Sequence, residues 1–164
     1  MDERRLLCAV QEQPISAGVV VGSVAAAATT GALVAMGHRV GHVGIPFAAI
    51  GAVPFQRSAS SGVVGLVFTG FVLHVALMFA WGVICVWLAA RTQRPMLAAG
   101  SVAVADFLCS WIVAWASGKG LATVLPLGDR IAFALILAVT LVVGMRYAFS
   151  SLRNAKPQSP DVSP

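Results

Sequence analysis

The sequence predicts an all-α integral membrane protein: an antiparallel four-transmembrane-helix bundle, with an interfacial or re-entrant apolar loop between helices one and two. Three observations predict it. Hydrophobic residues make up 59% of the 164-residue chain and charged residues only 10%, with a mean hydropathy of +0.88, whereas soluble domains run at about 45–50% and about 25%. Four apolar stretches, at about 15–36, 63–90, 96–117 and 130–149, each approach or exceed the roughly 20 residues a helix needs to cross the hydrocarbon core. Between the second and third lies only Arg91-Thr92-Gln93-Arg94-Pro95, a basic link so short that the two helices must reverse and pack side by side.

Residues 1–14 form a polar cytoplasmic segment. Arg5-Leu6-Leu7-Cys8 is no lipidation signal, because no apolar run precedes the cysteine. The stretch Ile15 to Met36 is longer than the roughly 7–15 apolar residues of a secretory signal, so it reads as the first span. Gly18, Gly22, Ala25, Thr29 and Met36 share one of its faces, and Gly18 and Gly22 form a G-x-x-x-G pair that lets another backbone come close. Packing within the chain is favoured over dimerisation, since the motif is common in apolar helices. Gly37 to Ser61 is a longer connection whose second part, Val43 to Phe55, is too apolar for a solvated loop, too short to span, and interrupted by Pro46 and Pro54. It is expected in the interface or as a re-entrant segment, its backbone groups buried against protein.

Helices two and three follow on either side of the basic link. Gly118-Lys119-Gly120 opens a second outer loop, and Asp129 stands where it can cap or favourably face the start of helix four. Residues 150–164, with Pro157, Pro160 and Pro164, read as a flexible cytoplasmic tail. No internal repeat is present. Arg4, Arg5, Arg91, Arg94, Arg146, Arg153 and Lys156 fall on one side of the membrane, against Arg39, Arg57, Lys119 and Arg130 on the other. The heavier side is cytoplasmic by the positive-inside rule, which places both termini there. The composition, rich in Ala, Val and Gly, suits a bacterial cytoplasmic membrane protein.

The net charge of +5 comes from basic residues scattered singly or in pairs, which serve orientation and lipid headgroups rather than nucleic acid. The three cysteines form no C-x-x-C pair, which excludes a disulfide framework and thiol-redox chemistry. His38 and His42 have the i, i+4 spacing of a shared metal site, but glycines flank them and no Cys or carboxylate stands beside them. Haem held by two histidines would need a second one at the depth of His74. No serine-hydrolase pattern, H-E-x-x-H or phosphate-cradling motif is present. No cofactor and no catalytic residue is expected.

What remains is one ionisable residue near the middle of each central helix, His74 in helix two and Asp106 in helix three. His74 shares its face with Val67, Gly70, Met78, Trp81 and Cys85, and Gly70 leaves room for a neighbouring helix. Asp106 shares its face with Ala99, Ala103, Ser110, Val113 and Ser117, while Leu97, Leu108, Trp111 and Trp115 lie opposite. An intramembrane Asp costs about 2.5–3.5 kcal/mol on insertion scales, so a partner is expected, and His74 is the expected one. Such a pair acts either as a proton relay or as interhelical glue; the second reading is favoured.

With so few reactive groups, the expected function is that of a small accessory or assembly subunit of a larger bacterial membrane complex, respiratory or photosynthetic. The small-residue helix faces and the apolar outer loop point the same way. The partners expected are membrane lipid and either other subunits or further copies of the chain. The alternative is a small oligomeric ion- or proton-coupled transporter or channel using His74 and Asp106.

Overall fold

The computed structural model describes residues 14–55 and 64–154, the side chains of 15–55 and 64–150 among them. The expectations for the N-terminal segment, for Arg57 and for the tail beyond Asn154 lie outside these residues. The described residues are all-helical, with five α-helices and one 3-10 turn: α1 (Pro14–Arg39), α2 (Ile45–Phe55), α3 (Val64–Thr92), α4 (Pro95–Ser117), the turn Leu121–Thr123, and α5 (Leu127–Asn154). Four of them, α1, α3, α4 and α5, are long and apolar enough to cross a membrane.

The helix ends follow from local chemistry. Gln93 takes a left-handed backbone with φ 56°, which stops α3 while its N–H still bonds Ala89 O at 2.9 Å. Pro95 then starts α4, where its missing N–H is no loss. Gly118, at φ 63°, closes α4 by donating its N–H to Ala114 O, a position where a β-carbon would be strained. The last helix begins at Leu127 rather than Arg130, so Asp129 lies within its first turn. There the carboxylate meets the favourable end of the helix dipole and accepts from Arg39 at the end of α1, 2.8 Å away. The same helix runs on through Asn154, past its expected end at Phe149, because Ser150 and the residues after it contain no proline or glycine until Pro157.

α1 packs against α3 and α5, and α4 packs against the same two helices from the other side. The α1–α3 contact is a meeting of glycines: Gly82 of α3 lies on the backbone of Gly18 and Gly22, which in turn lie against Val83 and Phe79. Gly144 of α5 lies close to Val21 of α1. A core of Val21, Ala25, Met78, Cys85, Val86, Val102, Leu137, Leu141 and Met145 fills the centre.

The apolar loop between the first two spans is a helix. α2 packs on α3, burying Pro46, Phe47, Ala48, Ala49, Gly51 and Ala52. Pro46 stands at its second position, where proline fits a helix start. Gly51 and Gly70 make the contact possible, since a β-carbon on either would run into the backbone of Leu66 or of Phe47.

Candidate functional site

α3 carries His74 on its inward face, only 2% exposed, between the rings of Phe47 and Phe133. Its Nε2 lies 3.1 Å from the hydroxyl of Thr29 on α1. That hydroxyl is also 2.6 Å from Ala25 O, in the back-bonded geometry common for threonine in helices. The single hydroxyl proton therefore goes to Ala25, the Thr29 oxygen accepts from His74 Nε2–H, and Nδ1 of the neutral ring is left as an acceptor.

α4 carries Asp106, 9% exposed, which accepts from the indole N–H of Trp81 at 2.8 Å. The bond expected between Asp106 and His74 is therefore absent: each bonds a different helix partner. The reason is register: Asp106 lies 11 residues after Pro95, whereas His74 lies 18 residues before Thr92. At 1.5 Å per residue His74 is therefore about 10 Å further from the link than Asp106. Trp81, 11 residues before Thr92, is the residue of α3 level with the carboxylate.

The two residues nevertheless open on the same space. A cavity of about 370 Å³ lies between α3 and α4, roofed by Ile50, Val53 and Pro54 of α2 and by Gly120 and Leu121, with Phe133 of α5 at its back. His74, Asp106, Cys109 and Ser110 are its polar lining. Leu73, Leu77, Cys109 and Val113 on its rim are exposed, so the cavity opens sideways, between helices. Ser110, expected to serve helix packing, faces this space and spends its own proton on Phe107 O at 2.7 Å. Among these residues the acceptors are the His74 Nδ1, the Asp106 carboxylate and the Ser110 oxygen, and the Cys109 thiol is a weak donor.

A second, smaller chamber of about 20 Å³ adjoins this cavity, sharing Asp106, Ser110, Leu121 and Phe133 and lined also by Phe107, Leu125, Ala134 and Arg130. Sequence reasoning counted Arg130 only as an orientation charge. It is instead 8% exposed, with its guanidinium lying over Phe107 at 5.0 Å and Trp111 at 5.1 Å.

The remaining sequence candidates lie elsewhere. Gly18 and Gly22 face α3, and Gly70 faces α2. His42 accepts from the N–H of Gly44 through Nδ1 at 3.1 Å and so serves the turn before α2. Among the described residues no three His, Cys, Asp or Glu side chains come together to hold a metal ion. Thr29 and Trp81 were visible on the right helix faces, but nothing in the sequence assigned them as partners. A buried indole N–H and a histidine facing a threonine were the signals available. Compared with known proteins, the chain matches no protein family, no curated protein and no solved structure.

Proposed function

We propose that the protein is an antiparallel four-helix bundle of a bacterial cytoplasmic membrane, with both termini inside, that takes a lipid-soluble alcohol from the bilayer into the cavity between α3 and α4. The observation that carries this reading is a laterally open apolar cavity lined by residues that carry acceptors, His74, Asp106 and Ser110, with one thiol, Cys109. Its volume falls within the roughly 300–1,000 Å³ typical of small-molecule sites. An apolar body would lie against Leu73, Leu77 and Val113, and a hydroxyl would donate to Asp106 or His74. α2, in this reading, is a re-entrant or interfacial helix that covers the outer end of the cavity. Membrane insertion is supported by the large apolar side chains left exposed on every long helix, among them Phe68, Val104, Leu135 and Val139. Exposed to water they would form apolar patches that favour association.

The accessory-subunit reading loses two of its motives, because the glycine face of α1 and the apolar loop are both covered within the chain. It keeps two observations: an apolar groove between α4 and α5 lined by small residues such as Gly100, Ala103, Ala134 and Ala138, and the exposed small residues Ser23, Ala27, Gly31 and Ala35 on another face of α1.

The test is photolabelling of the purified full chain in nanodiscs with a diazirine-bearing long-chain alcohol. Label should concentrate on Leu73, Leu77, Cys109 and Val113, and be displaced by the plain alcohol but not by its methyl ether. Label spread equally over Val104 and Val139, or displaced as well by the ether, overturns the reading.

A further inference from the structure

We infer that the small chamber between α4 and α5 holds an ordered water that joins Arg130 to Asp106, so that Asp106 forms a water-bridged ion pair with Arg130. Arg130 Nε and Nη2 are buried and have no hydrogen-bond partner among the protein atoms. A guanidinium so buried needs hydrogen bonds and a counter-charge, since an isolated charge away from water is strongly disfavoured. Asp129, its neighbour in sequence, is engaged by Arg39. The stacking of the guanidinium on Phe107 and Trp111 holds it over α4 at the level of Asp106 and Ser110, which lie one residue back from each ring.

Asp106, Ser110 and Arg130 all line the chamber. No direct ion pair joins Arg130 to Asp106; the one direct pair among the described residues is Arg39 with Asp129. The volume decides what bridges the gap. About 20 Å³ exceeds the roughly 10–15 Å³ that one water requires and is too small for a phosphate or a lipid headgroup. The water accepts from Arg130 and donates to the Asp106 carboxylate and to Ser110 Oγ, whose own proton is already given to Phe107 O. Two or three polar partners are what a buried water normally has. The inference does not rest on what the larger cavity binds: it is argued from the unpartnered nitrogens of Arg130 and the lining of the chamber alone.

The experiment is X-ray radiolytic labelling of the full-length protein in nanodiscs, in which a bound water activated in place oxidises the side chains around it. Leu125, which lines the chamber, should be oxidised severalfold more than Leu66, which is as well buried and lines neither this chamber nor the larger cavity. With H2(18)O added just before exposure, the heavy isotope should enter Leu125 more slowly than it enters exposed residues. Equal oxidation at Leu125 and Leu66 overturns the inference. A second measurement compares unfolding midpoints of Asp106→Asn, Arg130→Met and the double variant. The double variant should lose clearly less than the sum of the single losses, because it leaves neither charge unpaired; additive losses overturn the pair. If a single variant fails to fold, the labelling of the natural chain decides.

Discussion

At the scale of the residue, His74 and Asp106 show that two mid-helix polar groups need not be partners. His74 is held by Thr29, so Thr29→Val leaves a buried N–H without an acceptor. Interhelical hydrogen bonds in membranes average about 0.6 kcal/mol, with a maximum near 1.7. With Thr29 fully buried and the ring 2% exposed, the expected loss is about 1 kcal/mol, and Thr29→Ser, which keeps the oxygen, should stay near the natural chain. Unfolding equilibria in mixed micelles measure both. Cysteine reactivity gives a second prediction. In a Cys8→Ser background, a membrane-permeant maleimide should modify Cys109 on the cavity rim, while Cys85, fully buried beside Met145, reacts only on unfolding. Saturating plain alcohol should slow the Cys109 reaction, as read by intact mass over time. The inward faces of both central helices were legible in the sequence, because a 3.6-residue period separates Gly70, His74, Met78 and Cys85 from Leu73 and Leu77. The partners were not, because a helical wheel records azimuth and not the height along the helix, which puts Trp81 rather than His74 level with Asp106. Nor could Arg130 be read as a site residue: near a helix start its charge looks like one more contribution to orientation.

At the scale of the element, the informative case is α2. Its apolar sequence and two prolines marked it as neither loop nor span, and the burial of its backbone against protein was an expectation that composition alone could support. That it is helical was not legible, since eleven residues bounded by prolines are as compatible with an irregular re-entrant turn. What decides it is the pair Gly51 and Gly70, which bring two backbones into contact. Gly70→Ala and Gly51→Ala should each cost about 1–3 kcal/mol, the usual range for overpacking, since backbone rather than a flexible side chain is in the way. Gly100→Ala meets nothing within 4 Å and should be neutral. The readout that separates detachment of α2 from general weakening is the photolabel. With α2 displaced, the roof formed by Ile50, Val53 and Pro54 is lost, and alcohol binding should fall even at temperatures where α3 to α5 remain folded. The basic link behaves in the opposite way: Gln93 and Pro95 were both legible as a reversal, because a short X-Pro link leaves the chain few alternatives.

At the scale of the whole molecule, the question is whether the chain is complete as a unit or a part of something larger. Association of helices in lipid depends on small residues that let backbones approach, so what matters is where those residues are spent. Gly18, Gly22 and Gly82 are spent between α1 and α3, Gly51 and Gly70 between α2 and α3, and Gly144 against α1. The outward surfaces that remain carry mostly large side chains such as Val19, Phe68, Leu108, Trp115, Leu135 and Val139, which suit acyl chains. The groove at Gly100, Ala103, Ala134 and Ala138 departs from this pattern, as does the exposed stripe of Ser23, Ala27, Gly31 and Ala35 on α1. Extraction in a gentle detergent followed by native mass spectrometry should accordingly give one chain of 16.9 kDa with a small amphiphile attached. That added mass should vanish in Leu77→Trp, which fills the cavity mouth, and persist in Ala134→Leu, which fills the groove. If the protein instead emerges in fixed stoichiometry with other subunits, and Ala134→Leu releases it from them, the groove is the working surface and the accessory reading replaces the one proposed here. A homo-oligomer that survives Ala134→Leu would overturn both, and would direct attention to the Asp106 side of the molecule as a path between copies.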